Sequence, residues 1–227
     1  MLRACKANNV RRLAITSSIA AIRSVRPENW PADNTFDESF WSDTSPENTT
    51  ISTYNTSKTL AEKAAWDFRE SLPEAERFDI VTLNPALIMG PANQTNDFAS
   101  GGIVRDMMAS SGPVGRTRMG MVDVRDVAKA HLLALKVDAA KNQRFLLVSK
   151  CAWRKEMAAC LAAEFNPKGW NIGTEERTDD DVFNYEVNTT ASREVLGMEY
   201  IPMEQSWIDM ANTLIESGFI PRPAASQ

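Results

Sequence analysis

No run of about 18 apolar residues occurs in the 227-residue chain, so a membrane-crossing helix is not expected. The opening MLRACKANNVRR lacks the apolar stretch a secretory signal needs. Cysteine is scarce and never arranged as CxxC. Cys5, Cys151 and Cys160 stand apart, and with His131 as the single histidine they make no zinc-ligand pattern, so no metal site is expected. Three lone thiols point to a reducing compartment, and we expect a cytoplasmic chain. Charge of one sign is not in excess. The formal net charge of −5 is spread over mixed residues and leaves no basic stripe for a phosphate backbone, which disfavours nucleic acid and favours a small-molecule partner. Four Asn-x-Ser/Thr sequons begin at Asn48, Asn55, Asn93 and Asn188; they read as chance matches, since a glycan on Asn55 would block the helix discussed below.

What is present fits a globular protein. The hydrophobic fraction is 43% and the charged fraction 24%, and the length allows one generous domain or a large lobe with a small one. Leu2 to Asn9 reads as the last turns of a helix, followed directly by the β-type run Leu13-Ala14-Ile15-Thr16. A chain that opens this way reads as though earlier strands had been left out. Residues 25 to 52 form a long loop whose Trp30, Phe36, Phe40 and Trp41 call for burial.

From Thr53 the sequence predicts a helix ending at Leu72-Pro73, with Leu60, Ala61, Ala64, Ala65 and Phe68 as its inward face. Ile80 to Leu83 and Pro85 to Pro91 read as strands, the second buried on both faces. Strand, helix, strand in succession argues for an α/β fold with a parallel sheet. Ser100, Gly101 and Gly102 fall in an expected loop. Asp123 is expected to cap a helix with Val124, Val127, Ala128, His131 and Leu135 inward. A strand at Phe145 to Val148, a helix from Trp153 to Phe165 with Met157, Leu161 and Phe165 aligned, and a terminal helix through Trp207, Met210, Leu214 and Ile215 to Gly218 complete the pattern.

Tyr54 and Lys58 are four apart on a predicted helix and share a face. A phenol titrates near 10, and a positive charge within ~4–6 Å favours its ionised form, making it a usable acid and base. Such a group can give a proton to the oxygen of a carbonyl that accepts hydride. Tyr-x-x-x-Lys alone is also a common solvated helix face, so context matters. Upstream, Leu13 to Thr16 runs into Ser17-Ser18, which puts a hydroxyl at a strand's carboxyl end, where open α/β sheets bind ligands. Two serines there are equally an ordinary turn.

Five segments, VRRLAITSSIAAI, FDESFWSD, YNTSKTLAEKAAWDF, LNPALIMGP and MVDVRDVAKAHLLAL, resemble the extended short-chain dehydrogenases/reductases, in the branch of dihydroflavonol reductases, cinnamoyl-CoA reductases and related aldehyde and ketone reductases. The resemblance covers nearly the whole chain. It implies a Rossmann-like α/β fold, with a partial catalytic domain over residues 1–140 and a smaller α/β substrate lobe mostly over 141–227. It implies NADP (or NAD) as cofactor and NAD(P)H-dependent reduction of an aldehyde or ketone, or the reverse alcohol oxidation. Ser18 would orient the carbonyl and Tyr54 would donate the proton. Lys58 would lower the tyrosine's pKa and hold the nicotinamide ribose. Pro85, Ala86, Leu87, Ile88 and Ser100 would contact the cofactor, with Ser17 as the fallback for Ser18. Trp41 and the methionines Met107, Met108, Met119 and Met121 would line a substrate pocket or serve as core.

The sequence departs from that family in one respect: its glycines form no GxGxxG or GxxGxxG turn, which the dinucleotide's pyrophosphate requires. The expectation is that the first strand-helix units are missing, through a reading frame that begins late, a split between two chains, or a lobe that has lost catalysis. The first is favoured. An unpaired sheet edge should then promote self-association or binding of a partner. A sugar-nucleotide epimerase or dehydratase on the same scaffold, and a catalytically inert interaction lobe, are the competing readings.

Overall fold

The computed structural model describes residues 1–92, 98–179 and 181–223. The sequon at Asn93 lies outside them. In chain order the elements are α1 (Leu2–Ala7), β1 (Arg12–Thr16), β2 (Thr35–Phe36), α2 (Thr53–Glu70), β3 (Asp79–Pro85), β4 (Leu87–Met89), α3 (Ala99–Met108), β5 (Arg118–Asp123), α4 (Val124–Lys136), β6 (Arg144–Leu147), β7 (Lys150–Trp153), α5 (Arg154–Phe165), β8 (Glu186–Val187), α6 (Thr190–Glu194) and α7 (Met203–Glu216). The α/β class with a parallel sheet is as expected. Among the described residues no helix is long and apolar enough to cross a membrane.

The chain forms two compact units that interleave in sequence. One comprises Met1–Ala86, Asp126–Val148 and Glu186–Glu199; the other comprises Leu87–Arg125, Ser149–Tyr185 and Tyr200–Gln227. The single division expected at residue 140 does not describe them. The reason is strand pairing: β6, which follows that division, lies parallel beside β3, with Phe145 opposite Leu83.

In the first unit the sheet order is β1-β3-β6, all parallel, with Leu13 opposite Ile80 and Thr16 opposite Leu83. β1 is an end strand, so its outer edge has no strand partner among the described residues. The helix α1 ends as the sequence suggested, with Asn9 at φ 52°, a left-handed conformation that asparagine tolerates. In the 25–52 loop Trp30 and Phe40 both pack edge-on against the fully buried Phe36, at 5.4 and 5.3 Å between ring centres. The sequon Asn48 is buried there, its amide donating to the Ser24 and Asp43 carbonyls at 3.1 and 2.8 Å.

Two helix faces differ from expectation. On α2 the buried residues are Thr59, Glu62 and Ala65, whereas Leu60 is 52% exposed. On α4 they are Asp126, Val127, Ala130 and Ala134, with Leu135 exposed. Both helices bury a polar residue with bonding partners, and apolar periodicity alone misplaces such a face.

In the second unit the sheet order is β4-β5-β7, with β4 parallel and β7 antiparallel to β5. Its core holds Met89, Met107, Met108, Met121 and Met157 with Trp207, Met210 and Leu214, so the methionines offered as pocket lining are packing residues. The expected faces of α5 and α7 are the buried ones. The expected loop at Ser100 is instead the first turn of α3. Gly101 leaves room there for the Phe98 ring, which a β-carbon at this position would meet at 2.6 Å. Gly90, at φ 104°, faces the Asp123 carboxylate. Asp123 in turn accepts Arg125 Nε and Nη2 at 2.9 and 2.8 Å, and the Arg125 N–H at 2.8 Å as the cap of α4.

Candidate active site

The helix α2 begins where the Ser52 hydroxyl accepts the Asn55 N–H at 3.1 Å, which puts Tyr54 in its first turn. Lys58 follows one turn later on the same side. Its ammonium donates to the carbonyl of Thr16, the last residue of β1, at 3.4 Å. The lysine thus reaches the strand's carboxyl end, directly before Ser17-Ser18. The Tyr54 side chain, 58% exposed, is open to a ligand.

The two serines have different work. Both are buried, and Ser17 donates its hydroxyl hydrogen to Glu62, so that hydrogen is already engaged. Ser18 opens a 3-10 turn over Ile19–Ala21, and its oxygen accepts the Ala20 N–H at 3.1 Å. A hydroxyl that accepts in this way still has its own hydrogen to donate. Of the two, Ser18 is the one whose hydroxyl hydrogen is not engaged by Glu62.

Pro85 ends β3 and lies in the first unit with Ala86, whose N–H is taken by the Leu147 carbonyl at 3.1 Å. Proline has no N–H, so at these two positions the backbone can only offer carbonyl oxygens. Leu87 and Ile88 lie in β4, and the buried Ser100 in α3, all in the second unit. A recess of about 230 Å³ in the first unit is bordered by Ile15, Thr16, Ser17, Lys58, Ala61 and Glu62. A separate one of about 430 Å³ lies at the other end of β1, around Arg11, Arg12 and Asp138. There Arg12 caps the end of α4, donating to the Val137 carbonyl at 2.8 Å.

A buried polar network sits behind the site, and sequence reasoning missed it. Glu62, one turn beyond Lys58, accepts from Thr82 Oγ1 at 2.8 Å, Asn84 Nδ2 at 2.7 Å, Arg144 Nε at 2.8 Å and the Ser17 hydroxyl. Burial pushes its carboxyl up. The bond and charge of Arg144, with the Ser17 and Asn84 bonds, outweigh that and hold it below the usual carboxylate range. Arg144 also donates to the Glu38 and Phe40 carbonyls and stacks on Trp41 at 3.7 Å. Trp41 is therefore engaged in packing. Glu38 accepts the Leu146 N–H at 2.8 Å; burial raises its carboxyl above the usual value, and that bond offsets only part of the rise. The one signal available in sequence was the 54, 58, 62 spacing, which puts an acid on the face of the tyrosine and lysine.

Residues 1–148 match the family model described as the NAD dependent epimerase/dehydratase family. The cinnamoyl-CoA reductase CAD2 of Medicago truncatula is 32% identical over 223 residues, covering 96% of this chain and 65% of the relative. Gre2 of Candida albicans, solved in complex with NADPH, superposes with a TM-score of 0.78 at 30% identity, covering 95% of this chain and 68% of that one. Vestitone reductase of alfalfa (Medicago sativa L.) superposes with a TM-score of 0.78 at 27% identity, covering 96% and 69%. The chain spans 62% and 65% of the length of two Medicago truncatula cinnamoyl-CoA reductases it matches. On the family match and these likenesses, the chain belongs to the NAD dependent epimerase/dehydratase family, in the branch of the extended short-chain dehydrogenases/reductases that holds cinnamoyl-CoA reductases, Gre2 and vestitone reductase.

Proposed function

We propose that the protein reduces the carbonyl of an aldehyde or ketone with NADPH, with Tyr54 as proton donor, Ser18 holding the carbonyl oxygen and Lys58 binding the nicotinamide ribose. The observation that carries this reading is the Lys58 contact with the Thr16 carbonyl, which brings the tyrosine's helix to the end of β1 where Ser18 keeps a hydrogen to donate. The residues present suit the nicotinamide end of the cofactor. An ammonium has three donors, so one bond to Thr16 leaves others for a ribose diol. NADPH, when bound, supplies the hydride for the carbonyl carbon. Ser18 donates a hydrogen bond to the carbonyl oxygen and polarises it. Tyr54 then gives its phenolic proton to that oxygen, and the alcohol leaves. NADPH-dependent relatives support this choice of cofactor. No segment of this sequence supplies a GxGxxG turn for the pyrophosphate.

The test is NADPH consumption with a panel of aldehydes and ketones, together with fluorescence titration of NADPH. Turnover is expected, and Tyr54→Phe should lower it by ~10²–10⁴-fold. Absence of both saturable NADPH binding and turnover overturns the reading.

A further inference from the structure

Glu62 is 2% exposed and lies on α2 in series with Tyr54 and Lys58, at i, i+4 and i+8. All four of its partners donate: the Ser17 and Thr82 hydroxyls, the Asn84 amide and the Arg144 guanidinium. Only a carboxylate meets four donors, because it has two accepting oxygens and no hydrogen of its own. Glutamine would turn an NH2 group against two of them. The partners tie to all three strands of the sheet: Ser17 directly follows β1, Thr82 and Asn84 lie in β3, and Arg144 starts β6. The Asn84 amide also donates to the Ser18 carbonyl at 3.1 Å, so the same cluster grips the candidate substrate-binding serine. Tyr54 has no such anchor, since its side chain is 58% exposed, and Lys58 reaches the sheet through the Thr16 carbonyl at 3.4 Å.

We infer that Glu62 is a positioning residue: its carboxylate fixes the rotation and axial placement of α2 against the end of β1, and so sets where Tyr54 and Lys58 stand relative to Ser18. Arg144 completes the device. It supplies the counter-charge and is itself held by the Glu38 and Phe40 carbonyls and the Trp41 ring. The inference deepens the reductase reading and rests on it for the kinetic measurement, though not for the structural one.

The test compares the full chain with its Glu62→Gln and Tyr54→Phe variants by amide hydrogen exchange, urea unfolding and, in the reductase assay, kcat and KM. In Glu62→Gln we expect exchange to quicken roughly tenfold in peptides from 17–24 and 52–60, while peptides from α5 and α7 keep their rates. The same variant should lose about 10²-fold in kcat with little change in KM, as a small misplacement of reacting groups does. Tyr54→Phe should lose turnover with an unchanged exchange pattern. Uniformly faster exchange in Glu62→Gln with a lower urea midpoint and unchanged kcat would overturn the inference, leaving Glu62 as a core residue only. If Glu62→Gln does not fold, Ser17→Ala and Thr82→Val each remove one donor and are read on the same peptides; unchanged rates in both sink the proposal. A wild-type chain without turnover counts against the reductase reading alone, because the local exchange pattern still decides the role of Glu62.

Discussion

The Nε2 atom of His131 lies 2.7 Å from the Thr16 hydroxyl, while its Nδ1 faces the Val127 carbonyl at 2.8 Å. A carbonyl only accepts, so Nδ1 must carry the hydrogen, and Nε2 of the neutral ring must accept from Thr16. The expected outcome is that the neutral form of the ring is the Nδ1–H tautomer, read from the ring nitrogen shifts by NMR. An Nε2–H signal for the neutral ring would show that Thr16 is not its donor.

Gly90 and Asp123 make a second prediction. A β-carbon at position 90 would stand 2.7 Å from an Asp123 carboxylate oxygen, and φ 104° already disfavours any side chain. Gly90→Ala should destabilise the protein by at least about 2 kcal/mol, from backbone strain of roughly 1–3 kcal/mol with the clash added. Urea unfolding measures it.

The two readings of the α2 face separate cleanly by mutation. Leu60 is 52% exposed, so Leu60→Gln should move stability by no more than about 0.5 kcal/mol. Glu62→Ala leaves the Arg144 charge buried without its partner and should cost about 3–5 kcal/mol. Equal effects in chemical denaturation would restore the face drawn from apolar spacing.

Acid should weaken the Glu62 cluster. Because the folded state holds this carboxyl below its ordinary value, its contribution is complete above about 4.3, the unfolded value, and fades as pH falls through the lower folded one. Glu38 runs the other way: its raised value makes its contribution complete at low pH and lost as pH rises through that value. The stability gap between wild type and Glu62→Gln should therefore narrow on acidification. A gap constant from neutral pH down to about 3 would contradict it.

Much of the fold was legible in the sequence. The α5 face through Met157, Leu161 and Phe165 and the α7 face through Trp207, Met210 and Leu214 came directly from helical spacing, because apolar side chains make up nearly all that both bury, with the small Ser206 on α7 the exception. The α2 and α4 faces did not. Leu60 and Leu135 are the apolar residues that spacing turns inward, yet both stand exposed, and the inward positions include Glu62 and Asp126. The interleaving of the two units was hidden for a related reason, since nothing local to Arg144–Leu147 announces that it will pair with β3.

The sequence by itself determined the alternation of strand and helix and the placement of Tyr54 and Lys58 on one helix face, because 3.6 residues per turn is a local rule. Tertiary structure alone decided which serine keeps a hydrogen to give and which side of α2 is buried. Those outcomes depend on partners far along the chain: Ser17 lies 45 residues from Glu62 and Arg144 lies 82. A charged side chain enters a protein interior only when such donors converge on it, and no local pattern can report that they will.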